Sequence, residues 1–293
     1  MAGRVACART RVLVGASLLL WLVGCSGTTF VYNRLDSILP WYVDDYVELN
    51  GHQERQLDQA LQPFLRWHRQ QELPRYLDLL NKVEASLDQP VTPGEVRSLY
   101  EGMEIAWLRL EQESLEWLLA LGDTLSEAQV QEFLGYLQEK QEEYEEEYLG
   151  RSEPEYREES YDSFADTLED YLGRLTPAQR ERLLLASAAL QRSDAIWLKE
   201  RAAWQERLVV LMQRQLGWKE RVRESIARRS ETVSPEYVQV FEHNLNVVFA
   251  AISDVLNMRT EKQDRHLRRE LDDLREDLQT LIAEDADAPA ESA

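Results

Sequence analysis

Residues 233–255 read VSPEYVQVFEHNLNVVFAAISDV, and the fold class follows from how the apolar side chains fall along them. Val238, Phe241, Leu245, Val248, Ile252 and Val255 recur at alternating three- and four-residue steps. That spacing lines one face of a helix; a half-buried strand would alternate every second residue. Ser234 supplies a small polar side chain for the free N–H groups of a helix start, and Pro235 suits its first position. The stretch predicts a helix beginning near 235.

The same two signals recur outward from it. Tyr100, Met103, Trp107, Leu110, Ser114, Trp117 and Leu121 form a second stripe. Leu267, Leu271, Leu274, Leu278 and Leu281 form a third, close to the heptad spacing of a coiled coil. Four stretches carry a fuller start: Leu49-Asn50-Gly51-His52-Gln53, Val91-Thr92-Pro93-Gly94-Glu95, Leu125-Ser126-Glu127-Ala128-Gln129 and Leu175-Thr176-Pro177-Ala178-Gln179. Each places Asn, Thr or Ser three residues before Gln or Glu, the pattern of a capping box. Helices are therefore expected from about 51, 93, 127, 177 and 235. Breaks are expected near 88–90, 122, 150–154, 173 and 228–234, and kinks or breaks at Pro63 and Pro74. No Asn-Gly or Asp-Gly turn stands between alternating segments. The expected fold is all-α: an elongated antiparallel multi-helix bundle over 30–283 with kinked long helices. A candidate sub-boundary near 150–155 would divide it into two sub-bundles, and 284–293 read as a disordered acidic tail.

The amino terminus has a different character. Arg4, Arg9 and Arg11 precede an apolar run from Val12 to Val23, interrupted by Gly15 and Ser17. A positive start followed by a short apolar core is the pattern of a secretory signal, and the run is shorter than the ~20 residues of a membrane span. The run ends in Leu22-Val23-Gly24-Cys25, which resembles the lipobox of bacterial lipoproteins. The resemblance implies removal of residues 1–24, acylation of Cys25 and a lipidated tether over 25–29. Ser26, in the sorting position, implies the outer membrane rather than the inner one. Two or three acyl chains anchor stably where one does not. Cys7 would leave with the signal and Cys25 would carry lipid, so neither remains for a disulfide, a metal or a nucleophile.

Charge narrows the classes further. The chain has 33 basic and 54 acidic residues, net −21, and losing three arginines with residues 1–24 would take it to −24. A nucleic-acid partner is not expected of such a chain. Residues 139–170 hold 14 acids against 3 bases, with Tyr144, Tyr148, Tyr156 and Tyr161 interleaved. Residues 199–229 hold 9 bases against 4 acids and include Arg221, Arg223, Arg228 and Arg229. Two solvated helices lying side by side, with tyrosines turned inward, account for both segments and are the favoured reading. The sharper alternative makes these eight residues a partner-binding surface. The seven tryptophans after residue 24 read as core, whereas 30–46 could be either the first helix of the bundle or an aromatic layer at the membrane surface.

Catalytic constellations are missing from the sequence. His52, His68, His243 and His266 are scattered, no Glu stands three residues before a His, and there is no HExxH, P-loop, dinucleotide fingerprint or Gly-x-Ser-x-Gly elbow. No catalytic residue, no metal site and no cofactor beyond the lipid on Cys25 is expected, and the chain is not read as an enzyme.

Two further resemblances bear on class. Tyr32-Asn33-Arg34-Leu35-Asp36 through Trp41-Tyr42-Val43-Asp44-Asp45-Tyr46-Val47, then Trp67-His68-Arg69 and Glu72-Leu73-Pro74-Arg75-Tyr76, look like an uncharacterised family of proteobacterial lipoproteins. The stretches Leu125 to Gln129 and Leu175 to Gln179 are similar to the LTxxQ motifs of Spy-type periplasmic chaperones, with Ser126 in place of Thr in the first. The first resemblance implies a lipid-anchored body on the periplasmic face of the outer membrane. That resemblance names no activity; the favoured role, a scaffold or partner-binding module for an envelope protein, is read apart from it. The second implies an alternative: an ATP-independent chaperone or envelope-stress factor that holds an unfolded client.

Overall fold

The computed structural model describes residues 27–286. The signal, the lipobox Leu22-Val23-Gly24-Cys25 and Ser26 lie outside the described residues, as do residues 287–293 of the expected tail. Among the described residues there is no strand. In chain order the helices are α1 (Gly27–Tyr32), α2 (Leu35–Asp44), α3 (Gly51–Trp67), a π-helical turn (His68–Glu72), α4 (Leu73–Ser86), α5 (Pro93–Thr124), α6 (Glu127–Leu149) and α7 (Glu153–Leu172). They continue as α8 (Pro177–Ala189), α9 (Asp194–Leu211), α10 (Trp218–Ala227), the short α11 (Arg229–Thr232), α12 (Pro235–Asn257) and α13 (Glu261–Ala286).

All five expected starts are helix starts, and the four expected capping boxes form. Two more were not anticipated: Ser152 with Glu155 opens α7, and Thr260 with Gln263 opens α13. The proline expectations divide. α3 continues through Pro63. Pro74, which has no N–H to give and whose ring crowds the preceding turn, follows the wide π turn, in which the Leu73 N–H reaches back to the His68 carbonyl.

Two expected boundaries shift. Residues 27–29 belong to α1 rather than to a tether, and 284–286 continue α13 rather than opening a tail. The two ends hold each other: Thr29 Oγ1 donates to Asp277 Oδ1 at 3.1 Å, and Asn33 Nδ2 donates to Glu284 Oε2 at 2.9 Å.

The larger core cluster draws on six of the long helices, with Leu80 from α4, Val96 and Ala106 from α5, Leu172 from α7, Leu183 from α8, Val255 from α12 and Leu281 from α13. α13 lies along α4 and α7, while α12 lies along α5 and α8. A smaller cluster of Val47, Leu49, Leu57, Leu61 and Leu121 joins α3 to the far half of α5. The break at 150–152 is present between α6 and α7, yet the larger cluster takes residues from both sides of it.

Two glutamine clasps tie helix starts together. Gln53 and Gln129 each donate an amide N–H to the other's side-chain oxygen, at 3.0 and 2.8 Å. Gln179 and Gln263 repeat the arrangement at 3.3 and 2.9 Å. Each of the four also closes its own capping box, so one amide serves local and long-range structure together.

Gly173, at the foot of α7, adopts φ +66° and ψ −159°, a region that side chains other than glycine's enter only with strain. Gly173→Ala is expected to cost about 1–2 kcal/mol. A denaturant midpoint equal to wild type would show that the turn relaxes around the added methyl group.

Candidate functional site

The π turn carries the most deeply buried ionised group among the described residues. The Glu72 side chain is 0% exposed. Arg109, projecting from α5, grips it with two hydrogen bonds, Nε to Oε1 at 2.7 Å and Nη2 to Oε2 at 2.6 Å. Arg75, one turn along α4, also donates to Oε1. Burial alone would push this carboxyl up; the two guanidiniums outweigh it and hold Glu72 below the usual carboxylate range.

A histidine–tyrosine arrangement adjoins the pair. His68 lies between two hydroxyls, Nδ1 2.8 Å from Tyr32 Oη and Nε2 3.3 Å from Tyr76 Oη. The Tyr32 ring stacks on the imidazole with centroids 5.7 Å apart. Burial, opposed by Glu72 and assisted by Arg69, lowers the His68 pKa to about 4. The imidazole is therefore neutral at pH 7, and burial likewise raises the Tyr76 phenol. Both Glu72 oxygens are held by arginines and neither is exposed to solvent. The cluster works as a fastening, joining α1, the π turn, α4 and α5.

This fastening has a pH signature. His68 ionises less readily folded than unfolded, so protonation of the unfolded chain begins first as pH falls from about 6.5. Its contribution to stability is complete above that value and is lost as pH drops towards 4. His68→Gln is expected to flatten the pH dependence of the melting temperature across that window. An unchanged slope would place the proton uptake elsewhere.

The eight proposed partner-binding residues do not form one surface. Tyr148 and Tyr156 are buried. Tyr144 and Tyr148 pack on Trp197 of α9, with centroids 5.7 and 6.0 Å away, and Arg201 stacks over Tyr144. Arg151 stacks over both Tyr148 and Tyr156 and reaches the buried Asp194 at 2.6 Å. Burial raises the Tyr148 phenol to about 12. Tyr161 is half-buried against the larger core cluster, within reach of Arg180. Aromatic area is worth more inside than out, and the acidic helices α6 and α7 accordingly turn their tyrosines inward and their carboxylates to solvent.

The basic residues have partners as well. Arg223 makes a two-point contact with Glu116 through Nε and Nη2, and Arg229 sets Nη1 between the two oxygens of Glu111, both acids on α5. Arg228 pairs with Glu224 and Glu231, and Arg221 donates to the backbone carbonyls of Gln215 and Leu216. α9 does lie along α6, as the side-by-side reading expects, but Arg223 and Arg229 turn to α5 rather than to the acidic run.

Tryptophan divides too. Trp218 is buried, whereas Trp41, Trp107 and Trp204 are exposed, which corrects the expectation of an all-core role. The amides of the two LTxxQ-like motifs, Gln129 and Gln179, are occupied in the clasps.

Sequence reading missed one surface feature, the loop between α9 and α10. Leu216 in the loop is fully exposed, and Val209 and Val210, in the last turn of α9, are exposed by 45% and 60%. The loop is held rigidly. Arg214 takes a positive φ of 50°, unusual for a side-chain-bearing residue, and donates to the carbonyls of Gly122 at 3.0 Å and Leu125 at 2.5 Å. Gly217 supplies a second positive φ, and Arg221 ties down the Leu216 carbonyl.

A family model described as a family of unknown function, DUF6279, matches residues 45–238. The match takes in the Glu72 cluster, α6 and the α9–α10 loop, and it ends one turn into α12, although the larger core also needs Leu245 to Leu281. No curated protein and no solved structure matches the chain.

Proposed function

The chain belongs to that family of unknown function, and from its own residues we propose a lipid-anchored envelope protein whose helical body docks one protein partner. It stands on the periplasmic face of the outer membrane as a scaffold rather than as an enzyme. The address rests on Arg4, Arg9 and Arg11, the apolar run to Val23, the lipobox ending at Cys25, and Ser26. Among the described residues no helix is long and apolar enough to cross a membrane, so attachment in this reading falls to the acyl chains.

The observation that carries the docking role is the α9–α10 loop. Backbone strain at Arg214, locked by four arginine-to-carbonyl hydrogen bonds, holds Leu216 fully outside, and strain of this kind is kept where something uses it. Such a fixed apolar projection suits insertion into a groove of a folded partner.

Photo-crosslinking in cells from probes at 210 and 216, with a probe at 185 for comparison, tests this. One dominant envelope protein, lost on Leu216→Glu, is the expected result. A spread of unrelated, partly unfolded proteins would replace the scaffold with a holding chaperone. No adduct beyond the level seen at 185 would overturn both.

A further inference from the structure

We infer that the outer face of α1 and α2 is a bilayer-contacting surface that fixes how the body stands on the membrane; the inference rests on the lipid-anchored reading above. α2 is apolar on two sides. Leu39 and Val43 turn inward to the smaller core cluster, and Leu35 to the larger one. Ile38, Trp41 and Tyr42 are exposed, Trp41 by 67%, with Trp41 and Tyr42 each one turn from Ile38; the Tyr42 hydroxyl meets that of Tyr46 at 2.8 Å. Phe30 and Val31 of α1 are exposed as well, with the Arg34 guanidinium 3.9 Å above the Phe30 ring. These five side chains occupy the part of the described chain closest in sequence to Cys25.

Chain geometry identifies the occupant. Only Ser26 separates Cys25 from the first residue of α1, so the acylated residue lies within about 7 Å of the helix start. α1 cannot swing away from the body, because Thr29 is bonded to Asp277, Tyr32 is buried against His68, and Asn33 is bonded to Glu284. With a single residue between Cys25 and α1, acyl chains inserted at Cys25 draw Phe30 and Val31 into the interface, and α2 follows. Tryptophan and tyrosine favour that depth, where the ring is apolar and its polar edge stays wet. Arg34 is placed for lipid phosphate, while Asp36, Asp44 and Asp45 keep the contact at the surface.

The test uses the mature lipidated protein in phosphatidylethanolamine vesicles with a minority of phosphatidylglycerol. The Cys25 thiol is consumed by lipid in this reading, so Trp41→Cys gives one reactive thiol for an environment-sensitive NBD label; Val31→Cys and, as a control, Leu185→Cys do the same. Labels at 31 and 41 are expected to shift to the blue and to be quenched several-fold more strongly by nitroxide lipids than the label at 185. Protein that floats with the vesicles while the label at 41 stays as wet as the label at 185 overturns the inference and leaves the anchor standing. A label that is dry but unquenched also overturns it, since a protein then covers the face. Protein that fails to float overturns the anchored reading together with the inference.

Discussion

Arg109→Ala is expected to cost the protein about 3–5 kcal/mol of stability, the largest loss from any single side-chain truncation outside the apolar core. The reason is the fate of Glu72 rather than the worth of the pair. Its carboxylate is 0% exposed and is gripped at both oxygens by Arg109. Truncation leaves a buried charge with only Arg75, itself half-exposed, beside it. The sign follows from the linkage: Glu72 ionises more readily folded than unfolded, so its contribution is present above the unfolded carboxylate range and is lost as pH falls through the lower folded value. The gap between wild type and Arg109→Ala, measured by urea denaturation, should therefore narrow as pH falls and Glu72 is neutralised. The double variant Glu72→Leu with Arg109→Met should recover much of the loss, because an apolar replacement leaves no orphaned charge. A loss under about 1 kcal/mol at pH 7 would mean that water reaches Glu72 or that Arg75 suffices.

That cluster was invisible in the sequence for a physical reason. Glu72 lies in a run of polar residues, His68-Arg69-Gln70-Gln71-Glu72, which reads as the wet face of a helix. Its burial is created by Arg109, on another helix, and by the extra width of the π turn ahead of Pro74. Proline signalled a disturbance at this position but not what the disturbance would enclose. The helix starts were legible because a capping box is local: Thr92 and Glu95 find each other whatever the rest of the chain does. The all-α architecture followed from those caps and from stripes such as Leu267 to Leu281. The acidic run shows the limit of the method. The favoured reading turned its tyrosines inward, as Tyr148 and Tyr156 are, but composition could not name Trp197, which arrives from α9, as what Tyr148 packs on. The same holds for Arg223 and Arg229, whose partners on α5 lie more than a hundred residues away in sequence.

Gln179→Ala should be the second large loss, about 2–4 kcal/mol, although nothing about a glutamine at the start of an amphipathic helix advertises it. Its side chain is 0% exposed. The amide oxygen accepts the Thr176 N–H at 2.9 Å and the Gln263 amide at 2.9 Å, while its nitrogen donates to the Val255 carbonyl at 3.2 Å. Truncation strands the Thr176 N–H, takes one of two donors from the Val255 carbonyl and removes both bonds to the Gln263 amide, and each group left unsatisfied costs about 1–3 kcal/mol where water cannot replace the partner. Gln129 in the other clasp is only half-buried, so Gln129→Ala should cost less, nearer the ~1 kcal/mol of an ordinary cap. The decisive measurement is a double-mutant cycle between Gln179 and Gln263. If the clasp joins α8 to α13 as one unit, the two losses should fall short of additivity by about 1 kcal/mol or more. Additive losses, or a Gln179→Ala variant no weaker than Thr176→Ala, would reduce the clasp to two independent caps.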